Sequence, residues 1–154
     1  MREEVTVVPS KPFELEQVLK YRTEIERVRT QEFAAARHDY EHANEQLKLE
    51  EARMQDLSSE FRSRQEKLGS IDDIRMYAHF FTRKRNDINN QREQTDLLGG
   101  VMTERRTTLL NAAKDKKILE SLKEKKTKEF RLMMNQKEQS FMDEISVQKK
   151  GTLA

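Results

Sequence analysis

Between Pro12 and the glycine at position 151 the chain has no proline and only three glycines, Gly69, Gly99 and Gly100. An interior proline costs a helix about 3 kcal/mol and a glycine about 1 kcal/mol relative to alanine, so a stretch this poor in breakers reads as helix broken at one place. Steps of four and three from Ala36 reach Tyr40, Ala43, Leu47, Glu50, Met54, Leu57, Phe61, Arg64 and Leu68, a stripe in which only Glu50 and Arg64 are polar. Upstream the stripe broadens through Leu15, Val18, Leu19, Ile25, Val28 and Phe33. Ser10 is the expected N-cap, and Pro12 suits the first turn, where its missing N–H costs little.

Leu68 is followed by Gly69, Ser70 and Asp73. Gly69 suits the left-handed residue after a helix, and Ser70 with Asp73 makes a capping-box-like pair that starts the next one. Two helices joined so tightly run antiparallel. The second stripe passes from Ile74, Tyr77, Phe81, Lys84, Ile88, Gln91, Thr95 and Leu98 through Met102, Arg105, Leu109 and Ala112. It continues through Lys116, Leu119, Lys123, Lys126, Phe130 and Met133. Seven of these eighteen positions are polar, so the seam is loose and gains surface support from pairs such as Glu124 with Lys128 at i,i+4.

The expected fold class is all-α, a long two-helix antiparallel coiled-coil hairpin with an overhanging C-terminal helix. Residues 1–10 form a leader, 11–68 the first arm, 69–70 the turn, 71–149 the second arm, and 150–154 a frayed end, with 11–150 one domain. Folding at Gly69 and Ser70 makes facing residues sum to about 142 when both arms rise equally per residue. Phe61 then meets Phe81, Met54 meets Ile88, Leu68 meets Ile74, and Leu19 lies near Leu122. Glu50 falls opposite Arg92, and Ala43 opposite Gly99. The first arm is used up near residue 130, leaving Met133, Met134, Phe141 and Ile145 on an overhang.

Composition agrees with a thin seam in place of a thick core: 34% of the residues are hydrophobic, 38% are charged, and the mean hydropathy is −0.99. Residues 1–68 hold 12 basic and 15 acidic side chains, and residues 69–154 hold 18 and 13. The arms are thus weakly complementary in charge. The run "KDKKILESLKEKKTKEF" at 114–130, with seven lysines, reads as the wet face of the second arm. Interspersed acids leave a net charge of only +2, and the aromatics lie on seams, so no nucleic acid is expected as a partner. Without cysteine no disulfide or thiolate metal site forms, and no apolar run suits direct membrane insertion.

His38 and His42 share a helix face but lack a placed third ligand and the HExxH order, so surface histidines are the reading. His79 stands alone. "GGVMTERRTT" at 99–108 lacks the GK[ST] ending of a phosphate loop and follows no strand. Its Gly99 and Gly100 are a weak point in the helix or a hinge. No nucleophile, acid–base pair or cofactor cradle emerges, so catalytic, cofactor-binding and metal residues are all expected to be none.

Three stretches carry a resemblance: "FELEQVLKYR" at 13–22, "YAHFFTRKRNDINNQ" at 77–91, and "DKKILESLKEKKTKEF" with "EQSFMDEI" across 115–145. In order and spacing they resemble the flagellar type III export FliJ family. The resemblance implies a two-helix stalk like the central shaft of rotary ATPases, and no enzymatic activity of its own. It implies binding to the hexameric flagellar export ATPase, contact with the cytoplasmic portion of the export gate, and cycling of export chaperones. The implied location is cytoplasmic, peripheral to the inner-membrane export apparatus.

Phe13, Leu15, Val18, Leu19, Tyr21 and Arg22 match the family's N-terminal signature, and with Phe130, Met133, Met134, Phe141 and Ile145 they are the expected ATPase-ring contacts. Gln46, Phe80, Ile88 and Gln91 fall at its gate-side positions. The equivalent stalk of a virulence injectisome, a helical-hairpin chaperone and a structural coiled coil stand as alternatives. A homo-oligomer is not expected, because Lys84, Lys116, Lys123 and Lys126 interrupt the second stripe.

Overall fold

A computed structural model describes residues 12–67 and 69–152. α1 spans Glu16–Arg64, a single 3₁₀ turn follows at Gln65–Lys67, and α2 spans Ile71–Thr152. There is no strand among the described residues, and the two long helices pack antiparallel, an all-α hairpin.

The ends of the helices depart from expectation in ways that backbone hydrogen bonds explain. Ser10 lies outside the described residues, as do the rest of the leader, Leu68 and residues 153–154. Pro12 precedes α1 and is not part of its first turn. The Glu16 N–H donates to the Phe13 carbonyl at 3.1 Å, closing a turn, and the Leu19 N–H to the Leu15 carbonyl at 2.9 Å begins the regular ladder. The Glu16 carboxylate then sits in the first turn, where the helix dipole favours negative charge.

At the connection no described glycine has positive φ, so Gly69 is not the left-handed cap. α1 instead ends by tightening into the 3₁₀ turn, a common way to satisfy terminal carbonyls. The Ser70 hydroxyl oxygen accepts from the Asp72 N–H at 3.1 Å and the Asp73 N–H at 3.4 Å, capping α2. At its far end α2 continues past position 149, through Gly151, into Thr152, with Lys149 and Lys150 suitably placed in the last turn.

The described chain forms two compact units. One is Arg27–Leu110, which contains the connection. Here Phe61 packs against Tyr77 and Phe81 at ring-centroid distances of 5.1 and 5.6 Å, the second of these being the expected pairing. Leu47 and Ile88 are buried, and so is Thr95, whose hydroxyl donates to the Gln91 carbonyl of its own helix at 2.8 Å.

Two expected pairings in this unit give way to others. Glu50 meets Lys84 at 3.3 Å in place of Arg92, which reaches Glu51 at 2.8 Å. Gly99 faces the Tyr40 ring and not Ala43: a Cβ on Gly99 would lie 3.1 Å from Tyr40 Cε2. A ring fills the room that the missing side chain leaves, so a large group meets a small one where two small groups were expected.

Gly99 and Gly100 therefore differ, although both lie inside unbroken α2. Nothing approaches Gly100 within 4 Å of an added Cβ. Gly100→Ala is expected to stabilise the chain by about 1 kcal/mol, the helix-propensity difference. Gly99→Ala gains less because Tyr40 must give way, and Gly99→Leu destabilises. Thermal unfolding followed by helix signal checks the order; equal gains from both alanines would show that the Tyr40 contact does not matter.

The other unit comprises Met1–Glu26 and Asn111–Ala154. Leu19 and Ala112 are its buried residues. Ion pairs join its arms: Lys123 to Glu16 at 2.8 Å, Lys116 to Glu26 at 3.6 Å, and Arg22 to Asp115 at 3.3 Å. In the first unit Arg105 reaches Glu32 at 3.5 Å. With the single exception of Arg22–Asp115, each of these cross-arm pairs takes its acid from α1 and its base from α2, as the opposed charges of the two arms predict. Lys116 and Lys123 of the lysine-rich run thus hold the arms together, while Lys128 pairs along its own helix with Glu124 at 3.1 Å. Exposed pairs of this kind are each worth about 0–1 kcal/mol.

Candidate functional site

The unit of Met1–Glu26 and Asn111–Ala154 carries an apolar recess. Pro12 and Phe13 lead into α1, and the Phe13–Glu16 turn sets Phe13 and Leu15 against α2. On α2, Leu122, Phe130 and Met133 recur at helical spacing on one face. Together these residues line a groove of about 320 Å³. Lys123, Lys126, Glu14 and Glu129 form its charged margin, and the Lys123–Glu16 pair at 2.8 Å ties the two helices beside it. An apolar floor with a mixed-charge rim suits an apolar side chain of a protein partner.

Four of the expected ring contacts, Phe13, Leu15, Phe130 and Met133, come together in this groove. Leu19 is buried between the arms, so its side chain supports the site and offers little surface. Val18 and Tyr21 are exposed, and the Arg22 guanidinium lies 6.0 Å from the Tyr21 ring centroid while pairing with Asp115. Met134, Phe141 and Ile145 lie outside the groove, farther along α2. Phe141 is 63% exposed, and Met134 and Ile145 are half-buried. Sequence reasoning missed Pro12 and Lys123 as groove residues, although the register placing Leu19 near Leu122 brings this part of both arms together.

The gate-side residues do not form one surface. Gln46 is exposed and Phe80 half-buried, edge-on to Phe81 at 6.3 Å with Lys84 Nζ 6.0 Å from its centroid. Ile88 is only 7% exposed and packs in the seam. The buried Oε1 of Gln91 has no hydrogen-bond partner among the described residues. His38 and His42 are exposed with parallel rings 6.4 Å apart, and no three acidic or histidine side chains among the described residues are placed to hold a metal.

Electrostatics in the Arg27–Leu110 unit centre on Glu50, whose two oxygens accept from Lys84 at 3.3 Å and Arg53 at 2.8 Å. The hydrogen bond from Lys84, with the positive charges of Lys84 and Arg53, holds the Glu50 carboxyl below its ordinary value of 4.5. Arg29 chiefly does the same for Glu32. A depressed folded-state value means that the stabilisation is present above about pH 4.5 and is lost as pH falls through the depressed value. In urea unfolding at a series of pH values, the native chain should exceed Glu50→Gln in stability at neutral pH. That gap should close on acidification; a constant gap down to pH 3, on the order of one unit and more below the ordinary value, would count against the pairing.

The sequence profile of the flagellar FliJ protein family matches residues 10–151, nearly the whole chain. No match emerges among curated proteins or among solved structures. No helix among the described residues is long and apolar enough to cross a membrane. With an antiparallel pair of long helices and a match over this length, the chain belongs to the FliJ family, components of the flagellar protein export apparatus.

Proposed function

We propose that this chain is a stalk that binds the hexameric flagellar export ATPase, promotes its assembly and activity, and links it to the cytoplasmic portion of the export gate. The observation that carries this reading is the groove in which Phe13 and Leu15 of the signature stretch meet Phe130 and Met133 of α2. An apolar recess shared between the beginning of one arm and the later part of the other gives a ring subunit a surface that exists only when the hairpin is formed. Exposed Val18, Tyr21 and Phe141 extend that surface, whereas Leu19 holds it together from within. At the gate side, exposed Gln46 and half-buried Phe80 are the contacts, with Ile88 and Gln91 keeping the seam beneath them. Export chaperones are taken up and released by the same non-catalytic chain, which works at the cytoplasmic face of the export apparatus.

ATP hydrolysis by the cognate export ATPase, titrated with this chain at fixed moderate salt, tests the proposal. Stimulation that saturates near one chain per hexamer is the expected result. An unchanged rate together with unchanged ring assembly would refute it.

A further inference from the structure

Winding residues 114–132 of α2 at about 100° per residue puts Lys114, Lys117, Ile118, Ser121, Lys125, Lys128 and Leu132 within one sector about 100° wide. Lys116 and Lys123, which pair with α1, lie on the other side of the helix, so this sector is its outer face. We propose that the outer face rests on an anionic lipid surface, with the lysine ammonium groups among the lipid phosphates and the Ile118 and Leu132 side chains dipping between the headgroups. The groove is lined from another side of α2, and the proposal does not depend on the ATPase reading.

The first argument is charge. Every residue of the sector is exposed, and the two apolar ones are Ile118 at 65% and Leu132 at 61%. The acids of residues 114–132 all lie outside the sector. Asp115 pairs with Arg22, Glu120 with Lys116 and Glu129 with Lys126, all cations off this face, and only Glu124 reaches in, to Lys128. Lys114, Lys117 and Lys125 have no ion-pair partner among the described residues. A chain whose net charge is only +2 thus gathers uncompensated cations along one short face. Each lysine close to an anionic membrane strengthens binding by about fivefold.

The second argument is the kind of residue present. The sector has no arginine and no aromatic side chain, the types that anchor protein interfaces, and lysine is depleted there. Nucleic acid would call for arginine at base edges or aromatic rings for stacking. Lysine, with an apolar stem and a compact ammonium, instead covers apolar surface while its head stays in water, the behaviour of a helix lying in the headgroup region. Geometry agrees, since Lys114 and Leu132 stand five turns apart in line along the helix, about 27 Å, so a planar surface can meet the whole face. Two apolar side chains and a few lysines make a reversible, peripheral attachment, in keeping with the absence among the described residues of a helix able to cross a membrane.

Co-sedimentation of the full chain with vesicles tests this. Binding to vesicles of mixed phosphatidylglycerol and phosphatidylcholine, weakened by salt and missing with phosphatidylcholine alone, is the expected result. Lys117→Gln with Lys125→Gln should lower the partition about 25-fold, against less than about twofold for Lys48→Gln with Lys67→Gln, an equal loss of charge away from this face. Ile118→Ser with Leu132→Ser should lower it several-fold with helix content unchanged, because both side chains are exposed. Absence of binding to the mixed vesicles, equal losses from the two lysine pairs, or indifference to the serine pair would each overturn the proposal. Retention on immobilised poly-glutamate without vesicle binding would overturn it in favour of an acidic protein partner.

Discussion

Replacing Ile88 with alanine is expected to destabilise the Arg27–Leu110 unit by about 2–3 kcal/mol, toward the low end of the range for removing a buried branched side chain. Ile88 is 7% exposed, and no large side chain in the described chain is completely sealed from solvent. A two-helix seam has no further layer behind it, so the cavity opens partly to water and the helices close over part of it. For a chain of this size the loss corresponds to a fall of roughly 5–10 °C in Tm. The contrast is Leu97, which lies in the same helix and is 72% exposed. Leu97→Ala should stay within about 0.5 kcal/mol of the native chain. Equal costs at the two positions, measured by denaturant midpoints, would mean that α1 does not pack on the Ile88 face.

The second large effect is on partner binding. Changing Phe130 and Met133 together to serine removes much of the apolar floor of the groove while leaving Phe13 and Leu15 in place. Apolar anchors at the centre of an interface are worth about 1–2 kcal/mol or more each, so affinity for the export ATPase should drop by about a hundredfold. Helix content by circular dichroism should hold, since serine is a tolerable helix residue and both sites lie late in a long helix. A chain ending after Phe130 should likewise lose ring binding while staying helical. Native-like binding by the serine variant would remove the groove from the mechanism and leave the exposed Val18 and Tyr21 surface to explain ring contact.

Much of the architecture was legible because it rests on local chemistry. The absence of interior proline, the scarcity of glycine, the Ala36–Leu68 stripe, and Gly69 beside the Ser70 hydroxyl specify two helices and one tight connection without reference to anything distant. The connection fixes the antiparallel sense, and the Phe61–Phe81 contact beside it follows directly. The weakly opposed charges of the arms, counted from the sequence, agree with the ion pairs in which Glu16, Glu26, Glu32, Glu50 and Glu51 of α1 meet cations of α2, although which residues pair was not legible.

What the sequence alone determined about this protein is therefore its helices, their direction and the family pattern they carry. What only the tertiary structure decided is the register away from the turn and everything that depends on it. A stripe repeating in threes and fours looks much the same after a slip of one helical turn, so periodicity cannot choose whether Gly99 meets Ala43 or Tyr40. Side-chain volume makes that choice, by fitting the Tyr40 ring into the space above a glycine, and charge makes it at Glu50, which takes Lys84 and leaves Arg92 to Glu51. The groove arises in the same way: Phe13, Leu15, Leu122, Phe130 and Met133 are distant in sequence, and only packing brings them together.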